Sequence, residues 1–153
     1  MKETGRLIEA LIYESCMKLD AYDFEGYLAL CDDKLDYKIT AYSPEIRKDM
    51  IWLHHDWEGM KALFKTLPKH NNEQNPLTRH CTVYDMVEKG DNTAEVISAI
   101  TIFKTYLDGG ASELFAVGKY YDTVTLAGEA PKLLARNVRL DTRMLQIGYH
   151  VPF

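Results

Sequence analysis

From Leu7 onward the apolar residues Leu7, Ile8, Leu11, Ile12, Cys16 and Leu19 recur at spacings of three and four. That period predicts a helix over residues 4–19 with one buried stripe. Asp23 is placed to cap a second, shorter helix whose apolar face is Phe24, Tyr27, Leu28 and Leu30 or Cys31, ended by Asp32-Asp33. Residues 35–42 then alternate, with Leu35, Tyr37 and Ile39 on one face of a first strand. Pro44 stops that strand or leaves it at an edge, and a turn or irregular stretch is expected to follow. Asp56 is the expected N-cap of a third helix through Trp57, Met60, Leu63, Phe64 and Leu67, closed by Pro68. Residues 71–76 read as a polar loop.

The second half changes period. Runs rich in Val, Ile, Thr, Tyr and Phe predict antiparallel strands at 78–88, 94–107 and 112–126, with a last strand at 132–141. The turns are Lys89-Gly90-Asp91-Asn92 and Asp108-Gly109-Gly110. Helices first and a meander afterwards is the α+β pattern. In the central run Val96, Ile100 and Ile102 fall on one face, and Ile97, Ala99 and Phe103 on the other. Helices can cover only one side, so the second face either lines a pocket, packs on another chain or is covered by its own loops.

A length of 153 residues fits one domain spanning 1–153. An apolar fraction of 46 % argues against disorder, and no apolar run reaches the roughly 20 residues a membrane helix needs. A soluble, cytoplasmic protein is expected, because Met1-Lys2-Glu3-Thr4-Gly5-Arg6 does not lead into a secretory core. With 18 basic and 23 acidic residues the net charge is −5, and no basic stripe favours nucleic acid. Cys16, Cys31 and Cys81 are odd in number, widely spaced and set in apolar segments, so they read as buried free thiols.

Within this order of elements, several segments carry a resemblance. They are Tyr27-Leu28-Ala29-Leu30-Cys31-Asp32-Asp33-Lys34-Leu35-Asp36-Tyr37, then Thr78-Arg79-His80, Tyr106-Leu107-Asp108-Gly109, Glu113-Leu114-Phe115-Ala116-Val117-Gly118-Lys119-Tyr120-Tyr121-Asp122, and Ala135-Arg136-Asn137-Val138-Arg139-Leu140-Asp141. Together they resemble the small β subunit of Rieske-type aromatic-ring-hydroxylating dioxygenases, over nearly the whole chain. The resemblance implies the NTF2-like (cystatin-like) cone, with N-terminal helices packed on a strongly curved, mostly antiparallel sheet. It implies a non-catalytic structural subunit that self-associates as a trimer or assembles with the α subunit as an α3β3 hexamer. The 2Fe-2S cluster and the mononuclear iron are then expected in the partner α subunit, with no cofactor in this chain. Ile39-Thr40-Ala41-Tyr42-Ser43 stands where the family carries a Met-Pro-x-Arg-like segment. The end, Tyr149-His150-Val151-Pro152-Phe153, only approximates the family's aromatic terminus. These departures leave room for an unusual branch, including one acting on a non-aromatic substrate.

The residues agree with iron held elsewhere. A Rieske centre takes two Cys and two His in paired motifs, and Cys16, Cys31 and Cys81 show no such pairing. No His-x4-His supports a facial iron triad. His54-His55-Asp56 offers three ligand types in a row, but consecutive residues diverge on a strand or a helix, and a capped helix start explains them.

A different reading is a stand-alone isomerase, dehydratase or cyclase of the same fold. Asp20, Tyr37 and His80 resemble the pocket of scytalone-dehydratase-like enzymes, in which a histidine held by a carboxylate moves a proton. That reading requires the three to converge within hydrogen-bond reach. The second pocket histidine of those enzymes has no counterpart between Val96 and Tyr106, and bland roles in core and sheet also suffice. A small-molecule binding module would show the pocket without the convergence.

Overall fold

Among the described residues, three helices and six strands follow in the order α1 (Lys2–Asp20), α2 (Phe24–Ala29), β1 (Cys31–Ser43), β2 (Lys48–Asp56), α3 (Trp57–His70), β3 (Leu77–Glu88), β4 (Thr93–Thr105), β5 (Ser112–Thr125) and β6 (Lys132–Leu140). The structure is a computed structural model that describes residues 2–70, 75–144 and 152–153. The amphipathic stripe of α1 buries Ile8, Leu11, Ile12, Cys16 and Leu19, as its spacing predicts. Asp23 caps α2 by accepting from Gly26 N at 2.9 Å, and Asp56 caps α3 by accepting from Gly59 N at 2.8 Å.

All six strands form one curled, mostly antiparallel sheet in the order β2-β1-β6-β5-β4-β3. The meander from β3 to β6 is antiparallel throughout, whereas β1 joins β6 in parallel, from Asp36 opposite Ala135 to Ala41 opposite Leu140. The helices close the face carrying Tyr37, Val96, Ile100, Ile102, Tyr120, Val124 and Val138, all essentially inaccessible.

The structure corrects the element boundaries at four places. The stretch after Pro44 is not irregular: the chain reverses through Arg47, in the left-handed region at φ 53°, and returns as β2 paired antiparallel to β1. Helix α2 stops at Ala29, short of Cys31, because Leu30 O accepts from Leu133 N at 2.9 Å and Cys31 pairs with Leu133 of β6. Helix α3 does not close at Pro68 but runs to His70, since a proline in the last turns forfeits a hydrogen bond without leaving helical φ. Strand β4 ends at Thr105 rather than Leu107, because Tyr106 N donates to Ala111 O at 2.7 Å and Gly110 N to Tyr106 O at 3.1 Å. That turn needs positive φ at Gly109 and Gly110 (84° and 72°), which glycine adopts without strain. Most of the expected 71–76 loop and Tyr149-His150-Val151 of the terminal motif lie outside the described residues.

Candidate functional site

The inner face of the sheet holds two charged residues that pair directly across β5 and β6, Asp122 and Arg136. Both side chains are wholly excluded from solvent. Arg136 Nε donates to Asp122 Oδ1 at 2.8 Å and Nη2 to Oδ2 at 2.9 Å, a two-point fork. Nη1 reaches Ser15 Oγ at 3.0 Å and Tyr27 Oη at 3.4 Å, and the guanidinium carbon lies 3.9 Å from the centre of the Tyr120 ring. Burial alone would disfavour the charge on Arg136, but Asp122, with the Tyr27 and Tyr120 hydroxyls, more than offsets it. Burial also pushes the Asp122 carboxyl up, against the Arg136 charge and its two hydrogen bonds. The fork geometry is that of an ionised pair, with its hydrogen bonds made inside the fold. It ties α1, α2, β5 and β6 together.

The second polar cluster contains two of the residues singled out from sequence. Asp20, ending α1, accepts from Arg79 N at 3.2 Å and from Arg79 Nη1 at 2.7 Å. Arg79 Nη2 in turn donates to Pro152 O at 2.9 Å. Tyr37 Oη donates to Phe153 O and accepts from Phe153 N, both at 3.0 Å. Burial raises the Tyr37 phenol well above its ordinary range. Phe153 is 3 % exposed and its ring meets Phe115 edge-on at 5.8 Å, so residues 152–153 fill the interior beside Tyr37 and Arg79. The space left between Leu19, Tyr22, Phe24, Leu77, Arg79 and Pro152 is about 10 Å³, room for one water. Among the described residues, Arg79 Nε and Ser98 Oγ are the buried side-chain atoms without a hydrogen-bond partner.

His80 does not join Asp20 and Tyr37. It alternates with buried Arg79 on β3, so its ring stands exposed on the opposite face, edge-on to Phe103 at 5.1 Å. The three residues are therefore not brought within hydrogen-bond reach of one another.

Residues 15–147 match the family described as the ring hydroxylating beta subunit. The chain belongs to that family. The β subunit of the methanesulfonate monooxygenase hydroxylase from Methylosulfonomonas methylovora is 39 % identical over 160 positions, covering 99 % of this chain and 88 % of the relative. The β subunit of 2-aminobenzenesulfonate 2,3-dioxygenase from Alcaligenes sp. is 30 % identical, covering 95 % and 96 %. A crystal structure of the β subunit of a provisionally assigned aromatic-ring-hydroxylating dioxygenase from Novosphingobium aromaticivorans superimposes with a TM-score of 0.80. It is 18 % identical and covers 92 % of this chain and 91 % of its own, a likeness of fold.

In this β subunit the His54-His55-Asp56 run diverges as strand geometry requires. His54 Nε2 lies 2.6 Å from Asp36 Oδ1 on the exposed surface, and Asp56 is spent on the α3 cap. Among the described residues no group of three His, Cys, Asp or Glu side chains is placed to hold a metal. Nor is any described helix long and apolar enough to cross a membrane. The outer sheet face carries a half-covered row of Ile97, Ala99, Thr101 and Phe103 on β4, with Tyr121 (42 % exposed) beside Ile97 on β5. The sequence expected cover on this face, and none of the three helices supplies it.

Proposed function

We propose that this chain is the non-catalytic, structural β subunit of a multi-component Rieske oxygenase whose 2Fe-2S cluster and mononuclear iron sit in a partner α subunit. The observation that carries this reading is the closed interior. Where an enzyme of this fold keeps its substrate pocket, Pro152 and Phe153 are held by Arg79 and Tyr37, and the buried charges satisfy one another. The described residues do not fit either iron group, since no three His, Cys, Asp or Glu side chains among them are placed to hold a metal. No residue of this chain is assigned a catalytic role, Asp20, Tyr37 and His80 included.

The chain folds as one domain and acts in the cytoplasm, as three copies with three α subunits. The half-covered outer face supports such an assembly, because exposed Tyr121 beside half-buried aliphatics suits a surface that meets another chain. The substrate class is an organosulfonate: both curated relatives are subunits of sulfonate oxygenases, one acting on an aliphatic and one on an aromatic sulfonate.

Co-expression with a tagged Rieske α subunit of the same source, followed by size-exclusion chromatography with light scattering, tests this reading. A stoichiometric complex that oxidises methanesulfonate or an arylsulfonate is expected. A chain that stays monomeric and elutes apart from every such α subunit overturns it.

A further inference from the structure

Two of the three thiols face each other across the contact between α1 and the sheet edge. Helix α1 runs along β3, with Gly5 beside Met86, Tyr13 Oη accepting from Val83 N at 3.3 Å and Asp20 accepting from Arg79 N at 3.2 Å. Cys16 lies three helical residues past Tyr13, about 4.5 Å along the axis. Cys81 lies two strand residues from Val83 in the same direction, about 6.6 Å along. The two are thus level to within about 2 Å. Both point into the layer between helix and sheet, Cys16 from the buried stripe of α1 and Cys81 from the parity of Leu77 and Arg79. Both belong to the same layer of apolar side chains, Cys16 buried in it and Cys81 packed against it.

Their surroundings make them unequal. Cys16 is lowered by its neighbour Cys81, by the charges of Arg136 and Arg79 and by Tyr120 Oη 3.9 Å away, all working against burial. Cys81 is raised by its neighbour Cys16 and by burial. Cys31 stands apart: it donates to Tyr27 O at 3.4 Å, and burial pushes it up to about 12. Cys81 is only partly covered and lies on the edge strand of the sheet, so it is the more accessible member of the pair.

We propose that Cys16 and Cys81 are a thiol redox pair that hydrogen peroxide converts to a disulfide joining α1 to the edge strand β3. The Cys16 thiolate attacks one peroxide oxygen, so an S–O bond forms, the O–O bond breaks, and hydroxide leaves and takes up a proton as water. Cys81 then attacks the resulting sulfenic sulfur, forming the S–S bond and expelling a second water that carries the Cys81 proton. The two thiols lose two electrons and one peroxide becomes two waters. The reaction needs no partner subunit, so its outcome is independent of the oxygenase assignment.

The test is peroxide treatment of the 153-residue chain, alone and in complex, with thiol counting in denaturant and peptide mapping without reductant. The titratable thiols are expected to fall from three to one. A peptide pair joined through Cys16 and Cys81 should appear, Cys31 should still alkylate, and a dithiol reductant should restore all three. Cys31→Ser should still form the bond, and Cys16→Ser and Cys81→Ser should not. If either of the last two fails to fold, mapping of the unsubstituted chain decides. Three thiols surviving peroxide, a bridge to Cys31, or Cys16 driven to sulfinic acid with no bridge would each overturn the proposal.

Discussion

Arg136→Met removes the guanidinium at the centre of the core and strands Asp122 against an apolar wall. The pair is fully buried and joined by two bonds of 2.8 and 2.9 Å, so nothing from solvent can replace the lost partner. Breaking one side of such a pair costs about 3–5 kcal/mol, because the remaining charge stays desolvated. Against a total stability of roughly 5–15 kcal/mol this is a large share, about 6–20 °C in Tm for a chain of this size. Asp122→Leu should cost a similar amount by stranding Arg136, although Ser15, Tyr27 and the Tyr120 ring still engage it. The double variant, with no charge left to desolvate, should regain most of the loss.

The Arg136→Met penalty should also depend on pH. Once Arg136 is gone, burial raises the Asp122 carboxyl in the folded state above its unfolded value of about 4. The folded state then holds the proton more tightly, so stability is greatest below the unfolded value and falls as pH rises through the folded one. The deficit should be smaller at pH 5 than at pH 8. Urea unfolding of the four proteins at one protomer concentration measures all of this. Single variants within about 1 kcal/mol of the parent, or a double variant as unstable as the sum of the singles, would refute the buried-charge account.

Tyr37→Phe removes the hydroxyl that holds both backbone groups of Phe153 and should cost about 1–3 kcal/mol, read by urea unfolding; no change would mean that residues 152–153 are not anchored there. Gly118→Ala should be destabilising by at least about 1–3 kcal/mol, because the added Cβ would sit within contact distance of Arg139 O and 2.9 Å from Leu140 Cα, forcing β5 from β6; an unchanged Tm would contradict that close approach. Asp23, Glu45, Asp49 and Asp91 are all lowered in the folded chain, by the Gly26 N–H, the Glu45 backbone, Arg139 and the Thr93 hydroxyl respectively. Their support is present above the unfolded value of about 4 and is lost as pH falls through their folded values, so the urea midpoint should drop between pH 6 and pH 3, with a flat profile counting against it.

The helices and the meander were legible because their periods are clean. The α1 stripe and the alternation of β4, where Ala94, Val96, Ser98, Ile100, Ile102 and Lys104 all turn inward, survive into the fold without interruption. Strand β2 was not legible: it is an edge strand, its ladder to β1 slips between Ile39 and Thr40, and the bulge breaks the alternation that would have marked it. The parallel contact of β1 with β6 joins segments about a hundred residues apart and leaves no local trace. The Arg136–Asp122 pair was missed because charged residues in strands read as outward-facing. The available signal was parity, since Asp122 falls in step with Tyr120 and Val124, and Arg136 with Val138 and Leu140. Asp20 and Tyr37 were read from the sequence together with His80 as an acid/base pocket. Their partners are Arg79 and Phe153, and strand alternation sends His80 the other way.

The central claim is that this chain carries structure while its partner carries the iron. Iron and acid-labile sulfide, measured on the purified chain alone and on the complex reconstituted with a Rieske α subunit, test it most directly. The account predicts neither metal nor visible absorbance in the isolated chain, with both rising in proportion to α subunit in the complex. Iron or cluster absorbance retained by the chain alone, or turnover of a sulfonate without the partner, would contradict it.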